Sequence, residues 1–280
     1  MNIGIVGLGL IGGSLAKSYK RKNAHIAGDD RDKVILDFAI MQGIADEEMT
    51  DENIKECEVI FLAVPPVQAV KWMEEKAPLL SEHNIVIDCC GTKRKVCSSG
   101  FALSDKYGFR YAGGHPMAGL QYGGLKNSRK DLYDGATFVV VPKDNNDLNL
   151  LNRIKEIILQ GGFSKIVYCT PEKHDKIIAF TSQMAHIVSN AFVKSNTPRE
   201  YGTAVSAGSY RDFTRVAYLD ADMWTELFME NRDNLAEEIH TLCNELQKYA
   251  DALEGESSEK LKELLEEGKK RKTEVDNKWN

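Results

Sequence analysis

The stretch that decides the fold is Met-Asn-Ile-Gly-Ile-Val-Gly-Leu-Gly-Leu-Ile-Gly-Gly-Ser, residues 1–14. Its apolar residues predict a strand, the spaced glycines predict a tight turn, and the pattern after them predicts a helix. Gly7 can take the turn, Gly9 lets the backbone approach a pyrophosphate, and Gly12 lets the helix pack close to the strand. Because amides at a helix start bind anions, the sequence predicts a dinucleotide site. The residues expected to form it are Gly7, Gly9, Leu10, Ile11 and Gly12.

A second predicted strand, residues 24–27, leads to Asp30, which lies 18 residues after the last glycine of the turn motif. This spacing is close to the usual one for an acid that accepts hydrogen bonds from the adenosine ribose. An acid there repels a 2′-phosphate, so NAD is predicted rather than NADP. Arg31 is a competing signal, because an arginine beside the acid can stack on adenine or tolerate NADP. Val64 and Pro65, at the end of a further apolar strand, are expected at the same cofactor edge.

The length and composition are typical of a soluble protein of two domains. The chain has 280 residues, of which 42% are hydrophobic and 28% charged, and its formal net charge is −6. That charge argues against nucleic acid as a partner, and no apolar window reaches the length needed to span a membrane. No basic region precedes the apolar start, as a signal peptide would require. Six cysteines without metal-ligand spacing predict a reducing cytoplasm and no metal site.

Strands and helices alternate up to residue 169, which predicts an α/β fold with a doubly wound, Rossmann-type sheet. From Thr170 onward only helical periodicity is found, with Thr170 as the predicted N-cap and Pro171 at the first helical position. We therefore expect residues 1–169 to bind NAD and residues 170–280 to form an all-helical substrate and dimerisation domain. The apolar faces of these helices exceed the needs of a short bundle, so the expected assembly is a homodimer.

The individual elements are predicted from apolar runs and from helical periodicity. Beyond the first two strands, strands are expected at residues 58–64, 85–88, 109–114, 136–141 and 165–169. Helices of the first domain are expected at about residues 31–43, 67–79 and 146–160. Another is expected to follow residues 91–93 and to end at about residue 106. Helices of the second domain are expected at about residues 171–195, 209–219, 222–252 and 257–275.

His115 is the strongest candidate for a proton acceptor. It directly follows a predicted strand and is flanked by glycines and a proline that fix the backbone. Ligands of a doubly wound sheet bind beyond the carboxyl ends of its strands, which is where His115 is expected. A histidine of ordinary pKa, about 6.5, accepts a proton from a hydroxyl at neutral pH, as the oxidation of a hydroxyl-bearing carbon requires. From position alone, a structural role for His115 is equally well supported.

Two stretches of the second domain, residues 181–186 and 208–215, are candidates for completing a substrate pocket. Ser182 and His186 share a predicted helix face, although a core histidine bonded to a backbone carbonyl explains His186 equally well. Arg215 lies among apolar residues that would hold its guanidinium near a pocket, where arginine binds carboxylates in bidentate fashion. The alternative for Arg215 is a surface charge. Trp224 is a wall-forming candidate, but a tryptophan in this setting is more often a core residue.

Two motifs of the sequence are highly specific. The first is Gly-His-Pro-Met-Ala-Gly at residues 114–119, and the second is Arg-Asp-Phe-Thr-Arg-Val-Ala at residues 211–217. Trp224 stands nine residues after Arg215, and Lys-His-Asp occupies residues 173–175. Together with the glycine turn, these residues resemble the prephenate/arogenate dehydrogenase family of tyrosine biosynthesis. The resemblance covers most of the chain and favours functional roles for the histidine of the first motif and for Arg215.

The resemblance implies an oxidative decarboxylation with NAD as cofactor. A hydride would pass from C4 of the cyclohexadienol ring to NAD⁺, and His115 would accept the proton of the 4-hydroxyl. Loss of the ring carboxylate as CO₂ would restore aromaticity and, from prephenate, give 4-hydroxyphenylpyruvate. Arg215 would anchor a substrate carboxylate, and His186 would assist substrate binding. Further residues implied in closing or lining the pocket are Asp212, Gly208 and Trp224.

The chain departs from the commoner family pattern at several positions. In the helix motif, Gln183 and Ala185 stand where others have histidine and proline, and two further departures bear on the substrate. Where many members have a serine after the fifth strand, this chain has Gly91, so Thr92 or a water would have to replace the serine's hydrogen bond. Six residues after His115, where some members carry glutamate, it has Gln121. A neutral Gln121 removes a counter-charge for the amino group of arogenate, so prephenate is the expected substrate and arogenate the alternative. No regulatory domain is expected after the helices, so tyrosine inhibition, if present, is expected at the active site.

Two other functions remain open from the sequence. One is a different dehydrogenase of similar layout that acts on a 3-hydroxy acid or an imine, a group of enzymes that usually places a catalytic lysine on the first helix of the helical domain. That region here offers Gln183 and His186, and its lysines, Lys173 and Lys176, lie in the first turn. The other is a nicotinamide-sensing protein that has lost catalysis. The presence of His115 argues against a sensor, which needs no proton acceptor.

Overall fold

The computed structural model describes residues 1–144, 146–201 and 208–279. The chain divides into two compact units, Met1–Asn231 and Arg232–Asn280. The first unit contains the sheet and the second consists of a pair of helices. Within the described ranges, no helix is both long enough and apolar enough to cross a membrane.

An eight-stranded sheet forms the centre of the first unit. Its strands are β1 (Asn2–Val6), β2 (His25–Asp29), β3 (Glu47–Glu48), β4 (Val59–Leu62), β5 (Ile85–Asp88), β6 (Arg110–Pro116), β7 (Thr137–Val141) and β8 (Lys165–Tyr168). They lie side by side in the order β3-β2-β1-β4-β5-β6-β7-β8. Neighbouring strands are parallel except for β6 and β7, which are antiparallel. The doubly wound sheet predicted from the alternating pattern is confirmed.

Each face of the sheet packs into its own hydrophobic cluster, because successive residues of a strand point to opposite faces. In β4, Val59 and Phe61 belong to one cluster, whereas Ile60 and Leu62 belong to the other. All four residues of this strand are buried, which is why the sequence there is an uninterrupted apolar run. Packing on both faces fixes the central strands and therefore the loops at their carboxyl ends.

Helices lie on both sides of this sheet and continue beyond its last strand. The helices of the first unit are α1 (Leu10–Lys20), α2 (Lys33–Met41), α3 (Pro66–Lys76), α4 (Arg94–Tyr107), α5 (Leu148–Gln160), α6 (Pro171–Ile178), α7 (Ala185–Phe192), α8 (Asn196–Tyr201), α9 (Gly208–Thr214) and α10 (Ala221–Glu230). A π-helical turn, Ala179–Met184, joins α6 to α7. The predicted start of α6 is confirmed, because the Thr170 side chain accepts a hydrogen bond from the Lys173 amide.

The second unit is a hairpin of two helices, α11 (Arg232–Glu254) and α12 (Ser258–Trp279). The Ser257 hydroxyl accepts a hydrogen bond from the Lys260 amide at 3.4 Å, as expected for a cap of the final helix. The Tyr249 hydroxyl donates to the carbonyl oxygen of Leu264 at 3.3 Å and ties the two helices together. Most residues of α12 are exposed, in keeping with its mixed charges.

The structure corrects several predicted boundaries. The strand expected at residues 109–114 continues to Pro116, so His115 lies on β6 rather than after it. The helix expected at 171–195 contains the π-helical turn, and the one expected at 222–252 is broken at Asn231. The helix expected at 209–219 ends at Thr214. The sequence does not predict β3 or α8, because each is short and neither has a clear apolar period.

The order of the strands locates the ligand crevice. β1 pairs with both β2 and β4, and the chain winds outward from this point in both directions. Loops that follow two such strands diverge and leave a crevice at the carboxyl edge of the sheet. Here the two loops are the glycine turn after β1 and the segment of Val64 and Pro65 after β4. The crevice therefore lies where the sequence predicts the cofactor.

Candidate active site

The turn after β1 is built from glycines that meet three different demands. Gly7 has a φ of +85°, and a Cβ there would lie 2.6 Å from the carbonyl oxygen of Ala63. A Cβ on Gly12 would lie 1.9 Å from the carbonyl oxygen of Gly7, so only glycine lets α1 pack against the turn. A Cβ on Gly9 would meet no heavy atom within 4 Å. Gly9 therefore borders open space at the start of α1.

This open space is suited to an anion. Gly9 is the N-cap of α1 and provides no side chain to cap the helix. The amides of Leu10 and Ile11 have no acceptor within the helix, since the first turn of any α-helix leaves its N–H groups unpaired. Together with the helix dipole, these donors favour a phosphate group at this position. The residues present therefore fit the pyrophosphate of a dinucleotide.

Asp30 follows β2 and faces the glycine turn. Its Oδ2 accepts a hydrogen bond from the Leu8 amide at 2.7 Å, and its Oδ1 accepts one from the Asp32 amide at 2.9 Å. A carboxylate has about four acceptor positions, so capacity remains for ribose hydroxyls. The neighbouring Arg31 is exposed. The acid thus lies beside the open turn, as the spacing predicts.

The loop after β4 forms the other wall of the crevice. Val64 and Pro65 are half-buried and lead directly into α3. The amide of Val67, in the first turn of α3, donates to Oε1 of Glu226 at 2.9 Å. Because Glu226 lies on α10, this bond holds α10, with Trp224 on it, against the cofactor edge of the sheet.

His115 is the first member of a hydrogen-bonded chain of three side chains. Its Nδ1 lies 2.9 Å from Nε2 of His174, and Nδ1 of His174 lies 2.8 Å from Oδ1 of Asp175. His174 and Asp175 are buried, whereas His115, at the other end of this hydrogen-bonded series, is half-buried. Within the part of the chain that the structure describes, Nε2 of His115 has no hydrogen-bond partner.

Asp175 joins α6 to the start of α4. Its Oδ1 accepts the Lys93 amide at 2.7 Å, and its Oδ2 accepts the Arg94 amide at 3.0 Å and Nε of Arg94 at 3.3 Å. Nδ2 of Asn231 donates to the backbone carbonyl of the same aspartate at 2.8 Å. A carboxylate at a helix N-terminus is stabilised by the amides and by the dipole. These hydrogen bonds therefore hold Asp175 in a fixed position.

A buried ion pair lies behind His115. The ammonium of Lys93 contacts Oδ1 of Asp88, and both side chains are fully buried. Oδ2 of Asp88 accepts the hydroxyl of Tyr111 at 2.7 Å and the amide of Gly114 at 3.3 Å. Burial alone would lower the pKa of Lys93, but the Asp88 carboxylate outweighs it and raises that pKa above its usual value. Since Gly114 directly precedes His115, Asp88 also fixes the backbone that carries the histidine.

The surroundings of His115 and His174 keep both imidazoles neutral. Burial, with smaller contributions from His174 and Lys93, holds the pKa of His115 well below its usual value. Burial also lowers the pKa of His174, although its bond to Asp175 opposes this shift. For Asp175, burial works against ionisation, but hydrogen bonds from His174 and from the Arg94 amide hold its pKa below the usual range. At neutral pH the arrangement is thus two neutral imidazoles beside one carboxylate.

The structure brings His186, Trp224 and Arg215 into one neighbourhood. The rings of His186 and Trp224 have centroids 4.1 Å apart, and both side chains are half-buried. Nδ1 of His186 donates to the carbonyl oxygen of Val216 at 3.0 Å, which leaves Nε2 as an acceptor. Burial, with a smaller effect of the exposed Arg215 guanidinium, lowers the pKa of His186 below its usual value, against the Val216 bond. The guanidinium of Arg215 is the cation of this neighbourhood, and His186 and Trp224 provide its aromatic rings.

Asp212 and Gln121 are exposed, whereas Gly208 is half-buried. Gly208 and Asp212 share α9, where a Cβ on the glycine would lie 3.6 Å from Oδ2 of the aspartate. The Asp212 side chain is 77% exposed and lies 3.9 Å from Nε of Arg211. Gln121 is exposed in the loop after β6. Among the described residues, none of these three is hydrogen-bonded to His115 or His186.

Gly91 and Thr92, where the family pattern is broken, are enclosed by α10. A Cβ on Gly91 would lie 3.2 Å and 3.3 Å from the two methyl carbons of Leu227, tighter than ordinary contact. The hydroxyl of Thr92, which is buried, donates to Oε2 of Glu230 at 2.6 Å. The proton of this hydroxyl is therefore engaged within the protein. Leu227 fills the space next to the backbone that a serine side chain would need.

The sequence predicts a role for His115 but not for the two residues hydrogen-bonded behind it, His174 and Asp175. Lys173-His174-Asp175 is noted only as part of the family resemblance, and the sequence gives no sign that this segment contacts His115, 59 residues away. The only local signal is that two polar residues, His174 and Asp175, are the fourth and fifth residues of a helix whose N-cap is already supplied by Thr170. Because Thr170 caps the helix, the side chains of His174 and Asp175 can form hydrogen bonds with other elements.

Family models match nearly the whole chain. The model of the prephenate dehydrogenase nucleotide-binding domain matches residues 15–167, and that of the prephenate dehydrogenase dimerization domain matches residues 170–267. The chain belongs to the prephenate dehydrogenase family. The resemblance indicated by residues 114–119 and 211–217 is therefore confirmed, as is a nucleotide-binding domain followed by a helical one.

Individual members of the prephenate dehydrogenase family support the same assignment. Prephenate dehydrogenase of Bacillus subtilis is 29% identical over 267 residues, which cover 92% of this chain and 71% of that protein. The crystal structure of prephenate dehydrogenase from Aquifex aeolicus in complex with hydroxyphenyl propionate and NAD⁺ is 29% identical, with a TM-score of 0.84 and 98% of each chain covered. Synechocystis arogenate dehydrogenase is 25% identical, with a TM-score of 0.81, over 98% of this chain and 100% of that one.

Proposed function

We propose that this protein oxidises and decarboxylates prephenate to 4-hydroxyphenylpyruvate and CO₂, with NAD⁺ as cofactor. The observation that carries the proposal is the placement of His115 near the carboxyl end of β6, in the sheet whose β1 ends at the open turn of Gly9. The strands β1, β4, β5 and β6 are parallel, so their carboxyl ends lie along one edge. Membership of the family and the relatives named prephenate dehydrogenase support the choice of substrate.

The cofactor is held by the crevice between β1 and β4. The first amides of α1 would bind the pyrophosphate, and Asp30 would accept hydrogen bonds from the adenosine ribose. Val64 and Pro65 would line the side toward the nicotinamide, and Arg31 would lie near the adenine. When bound there, NAD⁺ supplies the hydride acceptor for oxidation of the substrate carbon.

The protein's own residues bind the substrate and accept its proton. Nε2 of His115, half-buried and without a partner in the described chain, accepts the proton of the ring hydroxyl as the carbon is oxidised. The guanidinium of Arg215 attracts a carboxylate of the substrate, and the ring of His186 provides a hydrogen-bonding wall next to Trp224. Gly208, Asp212, Thr92 and Gln121 belong to the proposed surroundings of this pocket.

The proposal is tested by following NADH formation by the purified protein with NAD⁺ and prephenate. His115→Asn should lower kcat on the order of a hundredfold or more, since a general base typically contributes that much, while NAD⁺ affinity changes little. Turnover that survives in His115→Asn would remove the histidine from its role. Measurable NAD⁺ binding without turnover of any cyclohexadienyl substrate would instead support a sensing protein of the same fold.

Arogenate is the second candidate substrate, supported by the solved arogenate dehydrogenase among the structural relatives. The two substrates differ in the side chain, which carries a keto group in prephenate and an amino group in arogenate. Gln121, exposed in the loop after β6, has no charge to pair with an ammonium. A higher kcat/KM with prephenate than with arogenate is therefore expected, and the opposite ratio would make the protein an arogenate dehydrogenase.

We also propose that the protein acts as a homodimer through residues 170–280, with the NAD-binding part ending near residue 169. Large apolar side chains are exposed on α6, on the π-helical turn and on α7 and α9: Ile177, Phe180, Phe192 and Phe213. Their exposure, with the match to a dimerization domain, supports association. Light scattering should give twice the mass of 31.3 kDa. Tyrosine inhibition at the active site and a cytoplasmic location stay predictions.

A further inference from the structure

We propose that His174 and Asp175 are positioning residues that hold His115 in the tautomer with its proton on Nδ1 and its lone pair on Nε2. The inference rests on the proposed function, in which His115 accepts the proton of a ring hydroxyl. It adds the residues that keep the accepting nitrogen of His115 ready for that proton.

The assignment of protons begins at Asp175. Its two carboxylate oxygens accept the Lys93 amide at 2.7 Å and the Arg94 amide at 3.0 Å, at the start of α4. These bonds favour the ionised form, and an ionised carboxylate has no proton to donate. The bond of 2.8 Å between Oδ1 of Asp175 and Nδ1 of His174 therefore requires the proton on Nδ1 of His174.

The protonation of His174 in turn fixes that of His115. His174 is buried and neutral, so a proton on its Nδ1 leaves Nε2 as an acceptor. Nε2 of His174 lies 2.9 Å from Nδ1 of His115, which must then carry the proton of that bond. A neutral imidazole has a single N–H group, so the lone pair of His115 is on Nε2. Without the neighbouring acceptor, a neutral imidazole can adopt either tautomer, and one of the two cannot take the substrate's proton.

The chain also stabilises the product of proton transfer. As the hydroxyl O–H bond breaks, its electron pair stays on oxygen and the proton forms a bond to Nε2 of His115. The resulting imidazolium donates from Nδ1 to His174, whose own N–H donates to the carboxylate of Asp175. The other charged groups packed around the pair are Lys93, Asp88 and Arg94. The hydrogen bond between Nδ1 of His115 and Nε2 of His174 orients the His115 ring.

The tautomer is measured directly by long-range ¹H–¹⁵N spectra of histidine side chains in the ligand-free protein, with His115→Asn to assign the signal. The wild-type protein should show His115 with Nδ1 protonated and Nε2 unprotonated. In His174→Leu, which removes the acceptor, the signal should shift toward the other tautomer. A wild-type His115 protonated on Nε2, or an unchanged tautomer in His174→Leu, would overturn the inference.

Kinetics separate positioning from mere structural support. His174→Leu should lower kcat on the order of a hundredfold, with KM for substrate and for NAD⁺ within about threefold of wild type. His174→Gln should recover a large part of this loss, because its amide oxygen can accept the proton of Nδ1. His83→Leu, at an exposed histidine, is the matched control and should keep wild-type activity. Equal activity of the leucine and glutamine variants would contradict the proposed role.

The two experiments fail in different ways. If the wild-type protein oxidised neither prephenate nor arogenate, the proposed function would be wrong, yet the spectra would still decide whether His174 sets the tautomer of His115. If turnover were present and the tautomer did not depend on His174, the function would stand and the positioning role would be refuted.

Discussion

Gly9 and Gly12 stand three residues apart, yet the structure gives them opposite tolerance to a side chain. A methyl group on Gly12 would lie 1.9 Å from a carbonyl oxygen, so Gly12→Ala should destabilise the protein by about 3 kcal/mol or more. A methyl group on Gly9 meets no protein atom within 4 Å, so Gly9→Ala should fold normally. Because the added carbon would enter the space proposed for the pyrophosphate, NAD⁺ affinity should fall about tenfold or more.

Thermal unfolding and calorimetric titration with NAD⁺ distinguish these two effects. Gly9→Ala should keep the wild-type Tm and lose affinity, whereas Gly12→Ala should show a lowered Tm before any ligand is added. Gly9→Ala with unchanged affinity for NAD⁺ would show that the open space beside α1 is not the pyrophosphate site.

At Gly91, where the family resemblance predicts a serine, the structure leaves little room for a side chain. A Cβ at this position would approach the methyl groups of Leu227 to 3.2 Å, so Gly91→Ser should destabilise the protein by about 1 kcal/mol. Leu227→Ala should relieve the clash, and the double variant should be more stable than the sum of the two single effects predicts. Urea unfolding measures the four free energies of this cycle. Gly123→Ser, where an added Cβ meets nothing within 4 Å, is the control and should be neutral.

At the scale of the element, the break between α10 and α11 has a polar cause. Nδ2 of Asn231 donates to the backbone carbonyl of Asp175 and to Oε1 of Gln183, both at 2.8 Å. Nε2 of Gln183 in turn donates to the carbonyl oxygen of Leu227 at 3.2 Å. One asparagine thus connects α6, the π-helical turn and the end of α10.

Asn231→Ala should therefore destabilise the protein by about 1–3 kcal/mol, because it leaves buried oxygen atoms without a donor. The measurement is the free energy of unfolding in urea. Asn190→Ala is the matched control: its side chain makes one half-buried bond to the carbonyl of Ala217, so a smaller loss is expected. Equal losses in the two variants would mean that the buried network has no special importance.

The elements also show how far the sequence leads. Strands and helices with strong apolar periods are predicted close to their observed bounds, because local pattern decides them. Asn231 interrupts an otherwise regular helical pattern through partners 48 and 56 residues away, which no local pattern reports. The contact of His174 with His115 is not predicted, for the same reason. The sequence predicts His115 as a candidate proton acceptor, but only the tertiary fold brings its hydrogen-bond partners together.

At the scale of the whole molecule, the parallel sheet allows the location of the candidate site to be predicted. Parallel strands direct their carboxyl ends to one edge, so the glycine turn after β1, the loop after β4 and His115 on β6 share that edge. The antiparallel pairing of β7 with β6 is not anticipated by the sequence. It places Val139 opposite His115 and closes the side of the histidine with a buried residue.

The buried histidines should also govern how the stability of the whole protein depends on pH. The pKa values of His115 and His174 are lowered in the folded state, with burial as the first cause. Below about pH 6.5 the unfolded chain therefore binds protons that the folded protein does not. Stability rises with pH wherever the unfolded state binds more protons. The stability that depends on His115 and His174 is therefore fully present near neutral pH. It is lost as the pH falls from about 6.5 toward the folded-state pKa values, by up to about 1.4 kcal/mol per pH unit for each excess proton.

Urea unfolding between about pH 7.5 and pH 5.5 measures this slope. The double variant His115→Asn/His174→Gln, which has neither titrating ring, should show a flatter dependence than the wild type. His83→Gln, at an exposed histidine, should keep the wild-type slope. A double variant with the wild-type slope would place the acid sensitivity elsewhere. A flatter slope would show that the folded protein keeps the pair neutral, which His115 needs in order to accept a proton.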